Sequence, residues 1–356
     1  MSTGKLATSP TWTSLGEAER AWVHYQPFLE ARGYMLRRRY RPGWVSDIVA
    51  FGKSPLDCED SITCHGEVLD ATRLLTGDSV VLKMVETSSA ETSIAAFLAC
   101  TPGAEKHAIQ TLEVIPMYDN PQRAFMVMPR MRAVSDPPFF YTVREFIEFV
   151  EQVLQGLVFL HSKNIAHRDI CTANMVMDAS LLIPAGFHFG RTCTSDGVQC
   201  LHFDADDANP LVIKSRTRAA PIRYVYIDFG LSVRFRTMEA RQLVTGERGR
   251  LRKHVPEICE TVPYDAFKAD VGLVGGMLLG EFLLFYRGLD FIMPFVRKLR
   301  RRDPARRPDA ATALVLFQRL VSKMDETALE GPLRFCLTQA SRKAMLFLHG
   351  LGLPKS

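Results

Sequence analysis

The chain has 356 residues, 47% apolar and 23% charged, which excludes a largely disordered chain and supplies enough apolar mass for a sizeable core. The formal charge of +5 comes partly from the run Arg297-Lys298-Leu299-Arg300-Arg301-Arg302. Without interleaved aromatics to stack on bases, that run reads as a solvated helix end, and no specific nucleic-acid partner is expected.

No apolar stretch behind a basic start opens the sequence, so no signal peptide is expected. Eight cysteines without regular spacing argue for reduced thiols in an intracellular protein, cytoplasmic or nuclear, rather than a disulfide framework. In chain order, the first strong pattern is a β-hairpin: a strand over 67–72, a turn at Thr76-Gly77-Asp78 and a second strand over 79–85. A buried strand is expected over 124–128, ending at Pro129, which has no N–H for a ladder. From there the period becomes helical. Over 145–161 it places Phe146, Phe149, Val150, Val153, Leu154, Leu157 and Leu160 on one face. Further helices are predicted over 268–286, 291–301 and 309–324. The most apolar stretch, residues 271–286, is broken by Glu281 and is shorter than the roughly 20 residues that cross a bilayer, so no membrane span is expected. A small β-rich part followed by a helical part makes an α+β arrangement.

The chemistry concentrates in two short runs. His167-Arg168-Asp169-Ile170-Cys171-Thr172-Ala173-Asn174 follows the 145–161 helix, and Val225-Tyr226-Ile227-Asp228-Phe229-Gly230 runs an apolar strand into Asp-Phe-Gly. Both match protein-kinase motifs, the catalytic loop and the metal-binding turn. Upstream, Val80-Val81-Leu82-Lys83 resembles the strand whose lysine reaches the nucleotide phosphates. Downstream, Val255-Pro256-Glu257, Asp270-Val271-Gly272-Leu273-Val274-Gly275 and the run from Asp303-Pro304 to Arg307-Pro308 resemble three architectural motifs of the same family.

The chain therefore resembles the protein kinase superfamily over about residues 61–320. It looks closest to the orphan protein-kinase-like family of basidiomycete fungi, through Arg32-Gly33-Tyr34, Arg41-Pro42-Gly43-Trp44, Cys58-Glu59-Asp60-Ser61 and Pro184-Ala185-Gly186-Phe187-His188. The resemblance implies a bilobal fold with a small β-rich N-lobe and a larger helical C-lobe. Its expected boundaries are an N-terminal extension 1–57, an N-lobe 58–131, a C-lobe 132–322 with an insertion at about 179–222, and a helical tail 323–356. It implies transfer of the ATP γ-phosphate to a protein hydroxyl, serine or threonine, with Mg²⁺. Asp169 would accept the hydroxyl proton, and Asn174 and Asp228 would be the metal ligands. Lys83 would hold the phosphates, paired with Glu91 on the next helix. A capping box on Ser88 is the other reading of Glu91, and both stay open. Met128, Pro129 and Met131 would line the adenine site. Arg168 would pair with a phosphorylated activation segment, with Thr237 and Thr245 as candidate phosphate acceptors. Glu257 would pair with Arg307.

Three departures accompany the resemblance. Registering the family's glycine-rich loop on Val68 leaves Ser61, Thr63 and Gly66, so only one glycine survives to bring backbone close to phosphate. Cys171 stands where serine/threonine kinases carry a lysine. The insertion contains His188, Cys193, Cys200 and His202, whose spacing fits no tight zinc knuckle, and a surface excursion or docking loop is the reading adopted. The alternative to an active kinase is a pseudokinase acting as a nucleotide-binding or scaffold module. Substrate and oligomeric state are not written in the sequence.

Overall fold

The computed structural model describes residues 11–64, 66–203, 211–246 and 249–335. Helix α1 (Glu17–Ala31) opens the chain, followed by strand β1 (Tyr34–Leu36) and the short helix α2 (Asp47–Phe51). Strands β2 (Val68–Arg73) and β3 (Ser79–Glu86) form the predicted hairpin, with Val68 opposite Lys83 and Thr72 opposite Ser79. Gly77 closes its turn with positive φ (76°), a conformation that glycine adopts without a Cβ penalty. Helix α3 (Ala90–Ala99), β4 (Glu113–Pro116) and β5 (Arg123–Pro129) complete a five-stranded sheet in the order β1-β2-β3-β5-β4.

Strand periodicity decides what β3 does. Val80, Leu82 and Met84 point into the cluster that also holds Trp22 and Leu29 of α1, whereas Val85 joins Ala95 of α3 on the other face. By the same alternation Lys83 lies on the α3 face. Strand β1 is part of this sheet, so a boundary at residue 58 cuts through it: the expected extension 1–57 supplies an edge strand and a covering helix.

A second, mainly helical part follows. Strand β6 (Arg132–Ala133) pairs with β8 (Met175–Met177), which pairs with β9 (Tyr224–Tyr226). Helix α4 (Val143–Ser162) buries all seven predicted core residues to 1% exposure or less, each worth about 1.5–3 kcal/mol of transfer free energy. Strand β7 (Ile165–Ala166) pairs with β10 (Val233–Arg234). Helix α5 (Ala266–Met277) passes into a π-helical turn, Leu278–Leu283, where a continuous helix was predicted to 286. Strand β11 (Tyr286–Arg287), helices α6 (Met293–Leu299), α7 (Ala310–Val321) and α8 (Glu326–Leu329) and strand β12 (Arg334–Phe335) complete the described chain. Within the expected helical tail, residues 323–335 form α8 and a strand paired with β11, and the remainder lies outside the described residues. Among the described residues no helix is long and apolar enough to cross a membrane. Arg297 and Lys298 are exposed at the end of α6, as expected of a solvated helix end.

The insertion between β8 and β9 is not only a surface excursion. Leu182, Ile183, Phe187, Ile213, Ala219 and Ile222 enter the main core, and the Arg216 guanidinium lies 4.0 Å from the Phe140 ring centroid while donating to the Pro138 and Val134 carbonyls. From there it reaches the connection between β1 and β2. Arg191 donates to the Leu56 carbonyl (3.0 Å) and to Ser61 Oγ (3.2 Å), and His188 Nε2 meets Glu59 Oε1 at 3.2 Å. His188 Nδ1 accepts the amides of Gly190 and Arg191. Both ring nitrogens are thus engaged, which argues against a zinc role for this histidine.

Candidate active site

Lys83 Nζ donates to Glu91 Oε1 at 2.6 Å and to Asp228 Oδ1 at 2.8 Å. The position follows from local rules. Lys83 faces α3 by strand alternation, and α3 begins at Ser89, whose hydroxyl accepts from the Thr92 amide. That cap replaces the expected one on Ser88 and leaves Glu91 free to meet the lysine. Burial opposes the charged amine, but the carboxylates of Glu91 and Asp228 outweigh it and hold the Lys83 pKa above its ordinary value. For Asp228, burial pushes the pKa up, and Lys83 more than reverses it, holding the group below the usual carboxylate value.

Asp228 itself is in a left-handed conformation (φ 62°, ψ 76°), rare for a residue with a Cβ. Gly230 gives the turn room: a Cβ there would stand 3.2 Å from Asp228 Oδ1, tighter than an ordinary contact. The neighbouring Phe229 is buried beside His167, ring centroids 5.2 Å apart. The Ile227 amide donates to the Asn174 carbonyl at 3.0 Å, which fixes the Asp228 turn against the catalytic-loop candidate.

Asn174 Nδ2 donates to the Asp169 carbonyl (2.8 Å) and to Asp169 Oδ2 (2.9 Å). Its amide oxygen and the Asp228 carboxylate are the hard oxygen donors that a Mg²⁺ ion prefers, so this donor set fits that ion. Beneath the loop, fully buried Asp270 accepts the amides of His167 (2.8 Å) and Arg168 (2.7 Å) and bonds His161 Nε2 at 3.0 Å. Buried backbone donors left unpaired cost about 1–3 kcal/mol each, so Asp270 determines the loop's shape. Thr172 is held similarly, its amide donating to Glu281 Oε2 at 2.8 Å.

The other oxygen of Asp169 is occupied. The Arg250 amide donates to Asp169 Oδ1 at 2.8 Å, with Gly249 packed against it. Arg168, also at positive φ, donates to the carbonyls of Thr245 and Leu231 and to the Tyr264 hydroxyl. Thr237 Oγ1 accepts the Ala240 amide in a local turn. Arg307 makes a two-pronged contact with Glu257, its Nη2 at 2.9 Å from Oε2 and its Nη1 bonded to Oε1. Cys171 is fully buried, and burial together with Asp169 and Glu281 pushes its thiol up to about 11.

The remaining predicted residues divide. Val68 lies directly opposite Lys83. Met128 pairs with Val81 and Pro129 with Val80 at the end of β5, both partly exposed, and Met131 follows, also partly exposed. Gly66 turns the chain at φ 76° just before β2. Thr63 is partly buried in the same connection. Ser61 is the correction: it ends a 3-10 turn, 4% exposed, with its hydroxyl donating to the carbonyls of Pro55 (2.6 Å) and Cys58 (2.8 Å). Those bonds, with Arg191 on the same hydroxyl, turn it into a structural group rather than a phosphate ligand. Sequence reasoning noticed Glu281 only as an interruption of an apolar run. A lone carboxylate inside such a run was the available signal that a donor from elsewhere in the chain pairs with it.

No curated protein matches the chain. The family model for the protein kinase domain matches residues 64–188, about a third of the chain, from just before β2 into the insertion. Lys83, Glu91, Asp169 and Asn174 all lie inside that stretch, and the match supports a kinase-like function and a place for this chain in the protein kinase superfamily.

Proposed function

We propose that the protein is a two-lobed phosphotransferase that uses Mg-ATP to phosphorylate a protein hydroxyl, serine or threonine, and that it belongs with the orphan protein-kinase-like family of basidiomycete fungi. The observation that carries the reading is Lys83 held between Glu91 and Asp228 while Asn174 is tied to Asp169. Mg-ATP would supply the transferable phosphoryl group and the cation that shields its charge. Lys83 would hold the phosphates, and Asn174 and Asp228 would hold the metal. Asp169 would orient the acceptor hydroxyl and take its proton. Met128, Pro129 and Met131 would line the adenine side, with Val68 above Lys83, and Gly66 and Thr63 would contribute backbone near the phosphates.

A second reading, a nucleotide-binding pseudokinase, is favoured by the Arg250 amide on Asp169 Oδ1 and by the loss of Ser61 from the phosphate side. Incubation with labelled ATP-Mg and a mixed peptide library, beside Asp169→Asn, separates the two. The enzyme reading expects label on peptide or on the protein itself from the wild type and its loss in the variant. Nucleotide-dependent thermal stabilisation without label from either protein would establish the second reading.

A further inference from the structure

Away from the candidate active site, the connection between β1 and β2 gathers three potential ligands. Asp47 opens α2, Cys58 precedes the 3-10 turn Glu59–Ser61 and Asp60 lies within that turn; one ligand atom from each lies within 4.8 Å of the others. Cys58 is 1% exposed and Asp60 is 2% exposed. Asp60 Oδ2 is satisfied by the Trp44 indole N–H (2.8 Å) and the Asp47 amide (2.9 Å). Asp60 Oδ1 is buried and has no hydrogen-bond partner.

An unsatisfied buried carboxylate oxygen is costly, and such groups in native proteins pair with a donor or coordinate a metal. The neighbouring groups suit the second outcome. Asp47 Oδ1 accepts from Arg38 at 2.6 Å, but Oδ2 faces Lys53 Nζ at 3.7 Å, too far for a hydrogen bond. The Asp47 side chain keeps 16% of its surface exposed, which provides an entry path and room for a water ligand.

We propose that Asp47, Cys58 and Asp60 bind a divalent transition-metal ion of the zinc class. Sulfur selects against Mg²⁺ and Ca²⁺, and one thiolate with two carboxylate oxygens leaves a fourth tetrahedral position for water. Bound ligand atoms would sit roughly 3.5 Å apart around zinc, so closure from the present spacing requires only side-chain movement. On binding, the Cys58 S–H bond breaks, its proton leaves to solvent and the thiolate electron pair forms the metal bond. Arg38 and Lys53 offset the remaining negative charge. The ion would fix α2 to the turn at residues 58–61, which the insertion grips from its other side through His188 and Arg191.

Chelator-treated full-length protein is titrated with Co²⁺, whose bond to thiolate gives a near-ultraviolet charge-transfer band, with metal analysis for stoichiometry. The expected result is one equivalent of Co²⁺ with that band, displaced by Zn²⁺ but not by Mg²⁺, retained in Cys193→Ala and lost in Cys58→Ala. Asp60→Asn, which keeps the side-chain size, is expected to weaken binding at least tenfold and serves if Cys58→Ala does not fold. Absence of the thiolate band in the wild type overturns the proposal, as does its persistence in Cys58→Ala or unchanged affinity in folded Asp60→Asn.

Discussion

Lys83 and Arg37 are both cations flanked by two carboxylates, yet they are built for different ends. Arg37 Nε donates to Asp70 at 2.9 Å, and its Nη1 donates to Glu59 at 3.1 Å and to the Ile62 carbonyl at 3.0 Å, with the side chain 10% exposed. Its planar fork is spent on fixed acceptors. Lys83 is 20% exposed and has two of its three ammonium donors committed, to Glu91 and to an Asp228 side chain that is 46% exposed. A charged triad becomes a candidate for function when it keeps a free donor and an open side. The Arg37 triad, closed by Glu59 and through it by His188, holds the insertion to the sheet.

That contrast can be broken most sharply at the open triad. Asp228→Ala and Asn174→Ala are each expected to lower Mg²⁺-dependent phosphate transfer about a hundredfold or more, some 2.7 kcal/mol of transition-state stabilisation. Initial rates over a Mg²⁺ series check this, and an unchanged metal dependence in both variants would remove the site assignment. A smaller effect is expected from Cys171→Lys. Burial at this position opposes an ammonium, but the neighbouring Asp169 and Glu281 carboxylates favour one, and turnover should rise about tenfold, equivalent to ~1.4 kcal/mol. Reduced or equal turnover in a folded variant would show that this position does not face the transferred phosphate.

The closed triad predicts stability rather than rate. Burial pushes the Glu59 carboxyl up, but His188 and Arg37 outweigh it and hold the pKa below its ordinary value of 4.5. A carboxylate lowered in this way contributes stability above its unfolded pKa and loses it as the pH falls through the folded value. Glu59→Gln should therefore cost about 1 kcal/mol at pH 7, and the gap from the wild type should narrow below pH ~4.5. Urea titrations at both pH values check this; a gap that stays constant would mean that Glu59 acts through packing alone.

Legibility in the sequence followed the range of the contacts. The hairpin and the α4 face are set by strand and helix periodicity, and the pattern located them; Lys83 could be placed on β3 by the same pattern, but not its bond to Asp228, 145 positions on. Ser61 was misplaced because its phosphate role rested on motif register alone, while its actual partners are Pro55, Cys58 and, 130 positions on, Arg191. Strand β1 was missed for a related reason: three residues carry little periodic signal, and their partners Ala71, Thr72 and Arg73 lie beyond a long connection. The Ser88 cap was off by one residue because adjacent serines are equivalent until the backbone enters the helix.

The amide of Arg250 on Asp169 has a kinetic meaning if the chain transfers phosphate. An acceptor hydroxyl would have to displace an internal rival that, being part of the same chain, is present at roughly millimolar effective concentration whatever the dilution. Such a rival raises the substrate concentration needed for half-maximal rate and leaves the limiting rate unaltered, as long as the rival exchanges faster than chemistry. Long substrates that also pull on residues 244–246, held by Tyr264, Cys259 and Arg168, would feel less of it than short peptides. Peptide length would then set apparent specificity before any side chain of the substrate is recognised.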